Sequence, residues 1–244
     1  MVLVLVRMAL LAGAAAATAG AVSAATGAPF SLASASQLSA LYFVPVNVVC
    51  LALLARGGRI TRLLGERPWL RRSDVGYGLL WLFVAFVPFA VVLNAVVLLT
   101  AGASGYAGAW ERLFAPPAGA ELAMSRGVSL ALAAVTVILF PVTNAPVEEL
   151  LYRGHALAEM KGRGVPPRAA IAQQAALFGV QHVFLAPTPA AMAAYVMAFT
   201  AWGATAGVIY QRQGRLMPLI VAHLLTNLMT SAVPLVLLLA GTAT

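Results

Sequence analysis

Hydrophobic residues make up 62% of the 244-residue chain and charged residues only 9%, against the roughly 25% charged that keeps the surface of a soluble domain hydrated. That balance excludes an ordinary water-soluble domain. The net charge of +8 does not point to nucleic acid either, because the arginines are strung between apolar runs and form no aromatic-interleaved patch.

In chain order, helices are expected near residues 2 to 25, 37 to 55, 75 to 100, 127 to 161 with a break, 168 to 187, 189 to 210 and 216 to 240. Each contains an uncharged or nearly uncharged run of the length that crosses a hydrocarbon core. The expected fold class is therefore all-α, a polytopic transmembrane helical bundle of about seven spans forming a single membrane domain. Residues 1–126 supply the N-terminal transmembrane helices and a basic loop, 56–74; residues 127–244 form the half in which polar side chains interrupt the apolar helices. If the chain alternates sides, the six arginines of the 56–74 loop fall together with Lys161, Arg163, Arg168, Arg212 and Arg215, leaving only Arg112 and Arg126 opposite. The positive-inside rule then places the basic loops and the N-terminus in the cytoplasm. The first segment has a second reading as a cleaved signal, with small residues around Ser23, Ala24 and Ala25, although Arg7 comes late for one; cleavage would leave the remaining topology unchanged. The single Cys50 excludes an intramolecular disulfide and reads as a small core residue. Residues 101 to 126, rich in Gly, Ala and Pro and carrying Trp110 and Phe114, read as an external connection resting on the interface. Usage of Ala, Val and Arg, with Lys161 the sole lysine, points to a GC-rich genome, and the expected location is a bacterial plasma membrane.

The fourth segment runs about 35 residues before Lys161, nearly twice what one span needs, and contains Pro141 and Pro146. A kink is expected, with Asn144 or Ala145 as the N-cap of a fresh helix whose first turn carries Glu148 and Glu149. Arg153, four residues after Glu149, is placed for an ion pair. Counted inward from the flanking basic residues at 1.5 Å per residue, Glu148, His182, His223 and Asn227 lie at depths of roughly 20, 21, 12 and 18 Å. Polar groups from three helices thus fall in one layer of a core about 30 Å thick, where a charge costs on the order of 2.5 to 3.5 kcal/mol. A shared, water-accessible site offsets that cost. The plainer alternatives are that Glu148 and Glu149 sit at the cytoplasmic rim, that His182 is a hydrogen-bonded core histidine, and that His223 and Asn227 form an interhelical pair. His155 reads as an interfacial residue. Phe178, one turn before His182, is expected to hold the imidazole rotamer, and Gly154 to permit close helix approach.

Taken in order, Glu148-Glu149-Leu150-Leu151-Tyr152-Arg153, then Phe178 to His182, then His223 to Asn227 resemble the EExxxR, FxxxH and HxxxN motifs of the CPBP family of CAAX prenyl proteases and bacteriocin-processing enzymes, also called Abi proteins. All three occur in this order within apolar helices, and the likeness covers roughly residues 135 to 235. It implies an intramembrane endopeptidase with Glu148 as catalytic carboxylate. Hydrolysis needs a base for water and donors for the oxyanion. Glu148 with His182 can position and deprotonate the attacking water; His223 and Asn227, one turn apart, can present N–H donors to the oxyanion, a contribution often worth ~3 kcal/mol. Glu149 and Arg153 are then supporting residues that fix Glu148.

Members of that family are often labelled metalloproteases, and Glu148, His182 and His223 make a His2Glu set capable of binding Zn2+. The chain has no HExxH helix, and the expectation, guided by the resemblance, is a metal-independent glutamate mechanism without a cofactor. Expected partners are a peptide or membrane-anchored protein substrate and the lipid bilayer, with no nucleic acid. Two rival functions are a proton-coupled carrier, which should show paired broken helices, and a non-enzymatic binding or immunity scaffold.

Overall fold

The structure, a computed structural model, describes residues 1–65, 67–115 and 124–241. Those residues fold into helices and turns without a strand. The helices are α1 (Val2–Thr26), α2 (Ser39–Arg56), α3 (Arg59–Leu64), α4 (Arg72–Thr100), α5 (Gly105–Phe114), α6 (Arg126–Glu148), α7 (Leu157–Gly162), α8 (Pro167–Gln181), α9 (Pro189–Gln213) and α10 (Met217–Leu239). A π-helical segment, Glu149–Ala156, joins α6 to α7.

Six helical stretches are long and apolar enough to cross a membrane. The seventh expected span is present as α8, only 15 residues long, continued by a 3-10 turn, His182–Leu185. Its sequence reads as a longer run because the turn and the following loop are also apolar. The lateral surface is that of a protein bathed in lipid: on α4, Leu79, Phe83, Val87 and Val91 point outward, Phe83 at 67% exposure. A water-soluble fold rarely leaves so continuous an apolar face bare, whereas a bilayer requires one, with every backbone group bonded inside a helix. The protein is an integral membrane protein.

Contacts between helix ends show the chain alternating between two faces. At one end the amino group of Met1 pairs with Glu159, and Asp74 at the start of α4 takes Arg215 before α10 at 2.6 Å. Leu63 and Leu216 also meet there over Gly154, where an added Cβ would lie 3.0 Å from Leu216, so this glycine does permit close approach. At the other end Thr188 bonds the carbonyl of Leu113, Arg126 bonds that of Leu238, and Tyr42 bonds that of Phe184. The basic connections therefore share one end of the bundle.

Two expectations are corrected. Pro141 and Pro146 do not break the fourth segment: Arg126–Gly162 is one helical rod of 37 residues. No fresh N-cap forms at Asn144 or Ala145; instead the amide hydrogen-bond register, deprived of the proline N–H groups, shifts to π spacing just downstream. The connection after α4 is not all loop, since α5 is an amphipathic helix whose Ala109 and Leu113 are buried; positions 116–123 of that expected connection lie outside the described residues. Around the core, α8 and α9 pack nearly backbone to backbone, as small residues allow in membranes. A Cβ on Gly179 would collide with Thr200 Oγ1 and the carbonyl of Val196. Gln174 Nε2 bonds the carbonyl of Gly203 at the same interface.

Candidate active site

Consecutive residues on an α-helix point about 100° apart, so two adjacent carboxylates do not ordinarily both face a core. The wider turn that begins at Glu149 narrows that angle, and Glu148 and Glu149 are buried together at 0% and 1% exposure. This removes the rim alternative. Their surroundings differ. Glu148 Oε1 accepts from Arg7 Nη2 at 2.9 Å and from Gln181 Nε2 at 3.0 Å. Arg7, on α1, is itself fully buried and also donates to Asn47 Oδ1 at 2.9 Å, to Asn144 Oδ1 at 2.9 Å and to Gln181 Oε1. Tyr152 donates to that same Gln181 oxygen at 2.8 Å. One guanidinium thus ties α1 to α2, α6 and α8 and neutralises Glu148, as a charge away from water requires.

Glu149 faces the other motif helix. Its Oε1 lies 2.8 Å from His223 Nδ1 and 3.1 Å from Arg153 Nη1. The expected Glu149–Arg153 pair is present, but it braces His223 rather than Glu148. A carboxylate at Nδ1 orients an imidazole just as carboxylates orient the histidines of metal sites and catalytic triads. His223 Nε2 then lies 3.4 Å from Glu148 Oε2, so one ring bridges both glutamates. The Arg153 guanidinium sits 4.2 Å over the Phe178 ring, a desolvated cation–π contact.

His182 is held differently. Its Nδ1 lies 2.6 Å from the carbonyl of Phe178, and since a carbonyl only accepts, Nδ1 carries the proton and Nε2 of the neutral ring is an acceptor. The ring stacks on Phe199 with centroids 3.5 Å apart and planes 8° from parallel. Phe178 packs against it at 4.7 Å; it does hold the imidazole, through its carbonyl as well as its ring. Phe199 was invisible as a partner in the sequence.

His182, His223 and Asn227 line one cavity of about 300 Å³ together with Asn144, Trp202 and a ring of aromatic residues. Glu148 and Glu149 stand one side chain behind its wall. Several buried polar atoms here have no hydrogen-bond partner in the protein: Glu148 Oε2, Glu149 Oε2, Asn227 Nδ2 and Trp202 Nε1 among them. Folded proteins leave few such groups unpaired, and those they leave concentrate where a ligand or reactant binds. Acceptor and donors are both in surplus, as hydrolysis of a carbonyl compound requires.

The structure therefore brings the four expected residues to one place, with one rearrangement: Glu148 meets His223, and no hydrogen bond or ion pair joins it to His182 among the described residues. His155 lies near the basic end, 3.5 Å from Glu159. Sequence reasoning missed Arg7, Asn47, Asn144, Gln181 and Tyr152 as a supporting network, and Trp202 as a donor. A charged residue seven positions into an apolar helix was the one available signal, since intramembrane charges mark function. No three His, Cys, Asp or Glu side chains among the described residues are placed to hold a metal ion. Glu148 Oε1 is held by Arg7 and Gln181 and the Nδ1 atoms of both histidines are engaged; in the alternative zinc set Glu148, His182, His223 the ligand atoms would be Glu148 Oε2 and the two Nε2 atoms, and the mechanism proposed below does not use the ion.

What these elements define is a polytopic membrane protein with a buried site of two glutamates, two histidines and an asparagine. Residues 130–229 match the family described as type II CAAX prenyl endopeptidase Rce1-like. This is the CAAX protease family that the motifs resemble, and the matched stretch contains every motif residue from Glu148 to Asn227. No curated protein and no solved structure matches the chain.

Proposed function

We propose that this protein is an intramembrane endopeptidase that hydrolyses a peptide bond by a metal-independent mechanism. The observation that carries the reading is the set of unpartnered buried atoms around one cavity, with an acceptor at Glu148 Oε2 and donors at Asn227 Nδ2 and Trp202 Nε1. Water bound between Glu148 and the free Nε2 of His182 loses a proton to this pair and attacks the scissile carbonyl carbon. Glu148 Oε2 hands the abstracted proton to His223 Nε2, 3.4 Å away, which together with Asn227 donates hydrogen bonds to the oxyanion. Collapse breaks the C–N bond, the abstracted proton passes to the leaving nitrogen, the remaining water proton leaves the new carboxylic acid for solvent, and the products are a carboxylate and an amine. Arg7 and Glu149 touch neither water nor substrate; they hold Glu148 and His223 in place. The family match of the motif stretch supports the same reaction class.

The carrier alternative loses its structural cue, because the one segment expected to be broken is a continuous rod. A proteomic comparison of membranes containing the wild-type protein or Glu148→Gln tests the proposal: a shortened membrane protein or released peptide should appear only with wild type. Identical peptide inventories with equal protein levels would favour the scaffold.

A further inference from the structure

Among the described residues, no Asp, Glu, Lys or Arg lines the cavity, so its wall recognises a ligand through neutral hydrogen bonds and apolar contact. Several polar atoms on that wall are already engaged. Asn144 Oδ1 accepts from Arg7 and Asn47, His182 Nδ1 is bonded to the Phe178 carbonyl, and the hydroxyls of Thr226 and Thr230 donate to carbonyls of their own helix. Asn227 Nδ2 and Trp202 Nε1 are buried donors with no partner in the protein. Asn227 serves the oxyanion in the scheme above; the indole has no part in it. Trp202, on α9, is only 4% exposed, and its ring lies 5.7 Å from the His223 imidazole, beside the other oxyanion donor. The indoles of Trp69 and Trp81, in contrast, donate to the carbonyl of Gly65 and to Gln213. An indole N–H can donate and cannot accept, and a buried donor left bare costs free energy that an arriving acceptor restores. A site built this way favours the ligand that completes the bond.

We infer that Trp202 is a substrate-binding residue whose Nε1–H donates to a main-chain carbonyl next to the scissile one. This rests on the hydrolytic reading above and deepens it: the substrate is a polypeptide held by its backbone in an uncharged, aromatic-walled site. His223 and Asn227 already give the oxyanion two donors, so the indole's acceptor is a neighbouring carbonyl, whose charge does not change during the reaction. The bond is made equally in the ground and transition states, and it therefore lowers KM and leaves kcat alone. A carboxylate is a poor occupant, because no cation on the wall would offset the loss of its hydration.

The test takes the full chain, 15N-labelled at tryptophan, in detergent. An uncharged probe, the acetylated and amidated peptide Leu-Phe-Leu-Phe, should move one indole N–H proton resonance downfield, and that resonance should be the one missing from Trp202→Phe. Butylbenzene, which fills an aromatic cavity but accepts no hydrogen bond, should not reproduce the shift. Equal shifts with both probes, or none with the peptide, overturn the inference. On an internally quenched form of the peptide, Trp202→Phe should raise KM about 10-fold with kcat nearly that of wild type. Benzothienylalanine at position 202, which exchanges the N–H for sulfur and keeps the shape of the ring, should do the same and separates the lost bond from lost packing. A fall in kcat at unchanged KM, or a wild-type KM with the sulfur isostere, overturns the assignment. A peptide that moves the Trp202 resonance and is never cut refutes hydrolysis while leaving the indole contact standing, so the two failures are distinguishable.

Discussion

The N-terminal helix pair and the motif helices contribute to the same charged cluster in opposite ways. The end of α6, the turn after α8 and α10 carry the candidate acceptors and donors, with His182, His223 and Asn227 on the cavity wall and Glu148 one side chain behind it. Helices α1 and α2 contribute Arg7 and Asn47, which reach no part of the cavity wall yet supply the cation that permits Glu148 to be charged in a dry interior. Chemistry is concentrated in a few spaced positions, whereas the charge balance that sustains it is drawn from another part of the chain. The matched family stretch covers the former and leaves out the latter.

The sharpest way to break this comparison is Arg7→Ala. Removing one partner of a buried ion pair costs about 3 to 5 kcal/mol, so thermal unfolding in detergent should shift strongly downward and activity should fall with it. Pairing Arg7→Met with Glu148→Gln removes both charges and should recover much of the stability without the activity. If Arg7→Ala melts like wild type, α1 is a bystander and the two regions are not coupled.

Glu148→Gln alone should reduce kcat by about 10³-fold, near 4 kcal/mol of transition-state stabilisation, with the protein still folded. Asn227→Ala should cost about 10²-fold in kcat with little change in KM, as expected for a donor used only in the transition state. A comparable loss from each Arg7 and Glu149 variant, with intact folding, would erase the distinction between reacting and positioning groups. At the small end, a chelator should leave the activity of the purified protein unchanged. Complete loss with recovery on added Zn2+ would return Glu148, His182 and His223 to the role of metal ligands.

The fold was legible because hydrophobic runs and basic connections are properties of composition along the chain, and lipid imposes both directly. The site was legible at Glu148, His182, His223 and Asn227 because polar groups at equal depth in apolar helices are stabilised only by one another or by water they share. The network around Arg7 was not. Asn47, Asn144 and Gln181 are single polar residues with no spacing relation to one another, and only the packing of four helices brings them onto one guanidinium. Pro146 is misleading for a related reason: a local rule that ends helices is overridden by neighbours that keep the rod continuous and absorb the register shift in a wider turn. Topology alone makes the signal-peptide alternative indifferent to function, whereas the burial of Arg7 against Glu148 ties α1 to the site.

The contact at Gly179 has a consequence for anyone altering this protein. With Thr200 and the Val196 carbonyl where the first side-chain carbon would stand, α8 and α9 slide or tilt only as a single piece, and the His182 imidazole travels with the aromatic platform beneath it. A saturation library at codon 179 screened for activity should therefore return glycine alone, while α8 positions exposed to lipid, such as Val180, accept most apolar replacements.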